Sequence, residues 1–89
     1  MGREEYKEYI PFLLMGKAIT HRHILEKFGE KVQKVRKSRG ISQEELAARL
    51  AMHRNYVGMI ERGERNPTIR TLYKVAKALK VKSCELLPF

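Results

Sequence analysis

Residues 42–62, SQEELAARLAMHRNYVGMIER, carry two short apolar patterns separated by a four-residue gap. Leu46, Ala47 and Leu50 recur at i, i+1 and i+4, the stripe of a helix pressed on a core, while Gln43, Glu44 and Arg49 fall outside it. Ser42 starts this helix. Its hydroxyl is placed to accept from a first-turn backbone N–H, Glu45 completes an S-x-x-E capping box, and Glu44 adds negative charge at the positive helix end. The pattern pauses over residues 51–54 and resumes with Val57 and Ile60, until Gly63 offers a stop. Two helices joined by so short a gap must turn sharply, and the spacing predicts a helix-turn-helix.

The second helix has room for about two turns. With Val57 and Ile60 facing inward at roughly 100° per residue, Asn55, Met59 and Arg62 point most nearly outward, with Gly58 beside them. A short helix offering these groups, with Arg54 at its N-terminal edge, is shaped for the major groove of a duplex. Arg54 carries a fork that matches the O6 and N7 acceptors of guanine, and Asn55 complements it at an adenine. Arg62 lies farther along and suits a base or a phosphate. Arg54, Asn55, Met59 and Arg62 are therefore the candidate base contacts. Gln43, on the first turn of the preceding helix, can set its amide and the free backbone N–H groups against a phosphate, with Arg39, Arg65 and Arg70 supplying charge and Tyr56 at the backbone or packing beside it.

Composition agrees with a polyanionic partner. The chain has 89 residues, enough for one small domain, and a formal charge of +9. The first 26 residues are balanced, whereas residues 27–89 hold fifteen Lys or Arg against six Glu. The bland alternative is a lysine-rich, merely soluble surface. One cysteine, Cys84, excludes an internal disulfide and a cysteine metal pair, and His21 and His23 lack a third ligand, so no metal is expected. No run approaches the ~18 apolar residues of a membrane span, and the start lacks signal-peptide order. A soluble, cytoplasmic, nucleoid-associated protein is expected. No nucleophile, base and orienter occur together, so neither catalysis nor a cofactor or small-molecule ligand is expected.

Taken in order, residues 1–24 form an N-terminal extension and residues 25–89 the helical domain. Residues 4–9 suit a turn or two of helix before Pro11. Residues 10–15, IPFLLM, are apolar and must bury against the chain's own domain or a partner subunit; Met15 is also a possible internal start. Leu25, Phe28, Val32 and Val35 mark a first helix running to about Arg39, with Gly40 ending it. Gly29 sits inside this pattern at a cost of about 1 kcal/mol relative to alanine. Thr68 caps a fourth helix with the stripe Ile69, Leu72, Val75, Ala76 and Leu79. A last short helix is expected over about residues 83–87, ending in Leu86 and Leu87 before Pro88 and Phe89.

Residues 32–87 resemble the phage-repressor-like, or XRE, family of helix-turn-helix domains. The segment 53–72, HRNYVGMIERGERNPTIRTL, is similar to the controller proteins of restriction-modification systems. The resemblance implies an all-α, five-helix fold whose third helix reads DNA, with Arg36 and Glu61 forming a structural ion pair that locks the first helix to the third. It also implies a two-fold dimer through the chain's end, with Leu86, Leu87 and Phe89 as interface residues; packing within the chain is the alternative. The function implied is a homodimeric, sequence-specific double-stranded DNA-binding transcription regulator on a pseudo-palindromic operator. The other classes are an antitoxin-like or adaptor protein, favoured by residues 10–15, and an RNA-associated module, for which no aromatic platform is evident. Three positions depart from the family pattern: Ala51 and Lys80 replace glycines after helices two and four, and His53 stands where Ser, Thr or Asp would cap helix three.

Overall fold

The structure, a computed structural model, describes residues 21–89; the expected turn at residues 4–9 and the apolar run 10–15 lie outside the described residues. These residues form helices α1 (His21–Ser38), α2 (Gln43–Leu50), α3 (Arg54–Glu61) and α4 (Ile69–Leu79), followed by a single 3₁₀ turn, Ser83–Glu85, with no strand among them. Among the described residues the first helix is His21–Ser38. The expected fifth helix is only the 3₁₀ turn. Leu86 N–H closes it on the Ser83 carbonyl at 3.0 Å, and Pro88, lacking an N–H, cannot prolong it.

The core is one cluster: Phe28 and Val32 from α1, Ile41, Leu46, Ala47 and Leu50 from α2 and its approach, Val57 and Ile60 from α3, Val75, Ala76 and Leu79 from α4, and Leu86. Each of these leucines and isoleucines contributes about 1.5–3 kcal/mol by leaving water. Two expectations change here. Leu86, expected at a dimer interface, is wholly buried in the chain's own core, because the 3₁₀ turn folds it back beneath α4. Ile69, expected in the α4 stripe, is 80 % exposed, because it is the first residue of the helix and projects past the core's edge. It instead lines an open apolar groove of about 180 Å³ with Ile24, Leu25, Leu72, Leu87 and Phe89.

All four helices end alike, in a left-handed residue whose N–H and following N–H return to the last turn's carbonyls. Gly40 and Gly63 hold this conformation at φ +72° and +76°. Ala51 and Lys80 hold it at φ 56° and 60°, with Met52 N–H bonded to Ala47 O at 2.9 Å and Val81 N–H to Ala76 O at 3.0 Å. The family's glycine conformation is thus kept at both sites without the glycine. Gly29, which looked like a fault in α1, is where α1 crosses α3. A Cβ there would press on the Ile60 and Glu61 carbonyls, 2.7 Å from the Glu61 carbonyl carbon, so only glycine allows this approach.

Candidate nucleic-acid interface

The outer face of α3 is set by what holds its inner face. Glu61, the last residue of α3, is buried and paired with Arg36 of α1. Arg36 Nε donates to Glu61 Oε2 at 2.6 Å and Nη2 to Oε1 at 3.2 Å, while Nη1 closes on the Ile41 carbonyl at 2.9 Å. Gln43 Nε2 donates to Glu61 Oε1 at 2.9 Å, and Gln33 Nε2 to the same oxygen at 3.4 Å. One carboxylate therefore ties α1, α2 and α3 together. No buried side-chain nitrogen or oxygen among the described residues lacks a partner, which is what a charge taken out of water requires. The Gln43 amide, expected to face a phosphate, commits its N–H to this network; its backbone stays at the N-terminus of α2.

Ser42 caps α2 as its spacing predicts, accepting from Glu45 N–H at 3.0 Å. The Glu45 carboxylate takes Arg49 instead, at 2.9 Å one turn on. His53 caps α3 in the way a serine would. Its Nδ1 accepts from Asn55 N–H at 3.1 Å. The two departures at the turn, Ala51 and His53, thereby leave α3 positioned as the pattern requires.

On the outer face, Arg54 and Asn55 are exposed and Met59 is half-buried. Arg54 Nε lies 2.9 Å from Glu44 Oε2 on α2, both side chains more than half exposed. Arg62, exposed at the C-terminal end, donates from Nε and Nη2 to the two Glu64 carboxylate oxygens at 2.9 and 3.1 Å. That hydrogen bonding, ahead of simple charge attraction, holds the Glu64 carboxyl below and the Arg62 guanidinium above its ordinary range. Gly58, expected among the outward groups, is buried: Arg62 and Gln43 side chains lie over it, a would-be Cβ standing 3.1 Å from Arg62 Nη1.

The charged groups expected around this face divide. Arg65 stacks on the Tyr56 ring, its guanidinium carbon 5.3 Å from the centroid, and Tyr56 packs on the core beneath. Arg70 is exposed on the first turn of α4. Arg39, although exposed, lies back on the chain's own backbone. Its Nε donates to Leu79 O at 2.9 Å and its Nη2 to Lys80 O at 3.5 Å, satisfying the free carbonyls that end α4. Sequence reasoning missed the Arg54–Glu44 contact, because Glu44 reads there only as a helix-end charge. The available signal was their spacing, one residue just inside each helix of the pair.

Comparison with known proteins places residues 32–86 under a helix-turn-helix family model. The control protein C.BamHI of Bacillus amyloliquefaciens is 44 % identical over 70 % of this chain and 78 % of its own length. The restriction-modification controller protein C.AhdI from Aeromonas hydrophila superposes with a TM-score of 0.69 at 41 % identity, over 71 % of this chain and 96 % of that one. C.Esp1396I, in a tetramer bound to its natural 35-base-pair operator, superposes with a TM-score of 0.65 at 35 % identity, over 71 % and 83 %.

Proposed function

Because this chain belongs to the helix-turn-helix family, we propose that it is a sequence-specific, double-stranded DNA-binding transcription regulator of the restriction-modification controller type, acting as a homodimer without catalysis. One observation carries the reading. The inner side of α3 is fixed by the buried Arg36–Glu61–Gln43 network, and its outer side presents Arg54, Asn55, Met59 and Arg62 to solvent. A helix so immobilised on one face and polar on the other can enter a major groove without losing order on binding.

The geometry supports the following roles. Arg54 and Asn55, at the N-terminal edge, read bases; Met59 contacts an apolar base edge such as a thymine methyl; Arg62, already satisfied by Glu64, reaches a phosphate at the periphery. Tyr56 with the stacked Arg65, the α2 N-terminus at Gln43, and Arg70 hold the phosphate backbone and so fix register without reading sequence. The dimer forms through apolar groups left outside the core, Ile69, Tyr73, Leu87 and Phe89, and pairs two α3 helices on an operator of matching symmetry. Among the described residues no helix is long and apolar enough to cross a membrane, and the proposed place of work is the cytoplasm, on the nucleoid. The test is selection from a random duplex pool, followed by titration of wild type and Arg54→Ala against a selected and a scrambled duplex at one salt concentration. The variant should lose about 1–3 kcal/mol on the selected duplex and much less on the scrambled one. Equal losses on both would reassign Arg54 to the phosphate backbone.

A further inference from the structure

We infer that Glu44 is a positioning residue for sequence recognition: it grips the inner edge of the Arg54 guanidinium, presents the outer edge to a guanine, and keeps this arginine off the phosphate backbone. The inference rests on the proposal that Arg54 reads a base.

The first support is which atoms meet. Arg36 and Arg62 are each held through Nε and Nη2 together, the side edge of the guanidinium, by a single carboxylate. Arg54 is held differently. Its Nε lies 2.9 Å from Glu44 Oε2 as an exposed ion pair without a hydrogen bond, so none of its N–H groups is committed to a hydrogen-bond partner among the described residues. Guanine offers two adjacent acceptors, O6 and N7, which take two roughly parallel N–H groups. With the carboxylate set against Nε, the terminal Nη1–Nη2 edge is the pair left for the base, and it has that spacing.

The second support is where the pair sits. Arg54 is the first residue of α3, while Glu44 is on the first turn of α2, whose start is fixed by the Ser42 cap and whose body is fixed by Leu46, Ala47 and Leu50 in the core. The carboxylate is therefore a fixed point against which a flexible arginine can be ordered. Stability is not its purpose: with 55 % and 64 % of the two side chains exposed, such a pair contributes little to folding. The third support is its charge. On a chain of formal charge +9, an arginine at a groove-entering edge would otherwise settle on any phosphate. A carboxylate beside it repels phosphate and lowers sequence-independent affinity, which widens the gap between right and wrong sites.

The experiment uses the full 89-residue chain and a double-stranded DNA pool with a randomised central stretch. Bound duplexes are sequenced for wild type, Glu44→Gln, Arg54→Ala and the double variant, and affinities are then measured on a selected and a scrambled duplex across a salt series. Glu44→Gln should keep the thermal midpoint, bind the scrambled duplex more tightly, and steepen the log–log salt slope by about 0.9 per added phosphate contact. It should also flatten preference at one base pair of each half-site, by about fivefold or more of the discrimination one bidentate pair provides. In the Arg54→Ala background the same substitution should change base preference no further. If Glu44→Gln preserves wild-type preference while Arg54→Ala flattens it, Glu44 positions nothing and Arg54 remains the reader. If scrambled affinity rises but preference stays, Glu44 is only a counter-charge and the inference is overturned. If Arg54→Ala itself leaves preference intact, the base-reading proposal and this inference fail together.

Discussion

At the scale of single residues, Ala51 and Lys80 stand in a conformation that glycine adopts freely and L-residues resist. A left-handed non-glycine residue costs about 1–2 kcal/mol, partly offset because glycine loses more chain entropy on folding. Ala51→Gly and Lys80→Gly should therefore each raise stability by about 0.5–1 kcal/mol, read as a higher urea midpoint at unchanged slope. Gly40→Ala, with open space around its would-be Cβ but φ +72°, should fall by a similar amount. The positions were legible in the sequence, because a helix ended two residues before a new apolar pattern has few ways to turn. Whether the turn would keep its shape without glycine was not, since that depends on the core holding both helices in place. His53 read as a departure for a related reason: its residue type is a poor cap on average, yet Nδ1 reaches the N–H that a serine would take. His53→Ala should cost about 1 kcal/mol in the same unfolding assay, whereas His53→Ser should be near neutral.

Between elements, the position of α3 depends on two contacts with α1. Glu61 accepts from side chains of α1 and α2 while 1 % exposed, so removing it leaves Arg36 charged and buried without its partner. Glu61→Ala should cost about 3–5 kcal/mol by calorimetry, far more than loss of the exposed pairs Arg49–Glu45 or Arg62–Glu64. The ion pair was expected from the family resemblance alone; the helix pattern placed Glu61 merely at the end of α3. The role of Gly29 could not be read at all, because a close crossing exists only once two distant segments meet. Gly29→Ala should destabilise by about 1–3 kcal/mol, as overpacking does, and should weaken operator binding beyond that loss by displacing α3. An unchanged ratio of selected to scrambled binding in the folded variant would mean that α3 tolerates the displacement.

Across the whole molecule, apolar and cationic surface are what the fold leaves uncovered. Ile69, Tyr73 and Phe89 are the large hydrophobic side chains most exposed among the described residues, so Ile69→Glu with Phe89→Glu should turn the proposed dimer into folded monomers in sedimentation. Leu86→Glu should unfold the chain instead, because that side chain is part of the core. The charge balance of residues 27–89 is strongly positive, yet Arg36 and Arg49 face carboxylates, Arg39 faces carbonyls, and Arg54 and Arg62 share their charge with Glu44 and Glu64, so the cations are not equally available to DNA. Those without a carboxylate partner near the proposed face are chiefly Arg65 and Arg70, joined by backbone N–H groups at helix starts. With about 6–10 phosphates neutralised per dimer, log affinity should fall linearly with log salt at a slope of roughly −5 to −9. Arg65→Ala and Arg70→Ala should each lower that slope by about 0.9 per protomer and weaken selected and scrambled duplexes alike, since phosphate contacts carry no base information. Fluorescence anisotropy over a salt series measures this directly. A slope unchanged in Arg70→Ala would remove α4 from the contact surface, leaving Arg65, stacked on Tyr56 beside α3, and the peripheral Arg62 as the side-chain anchors.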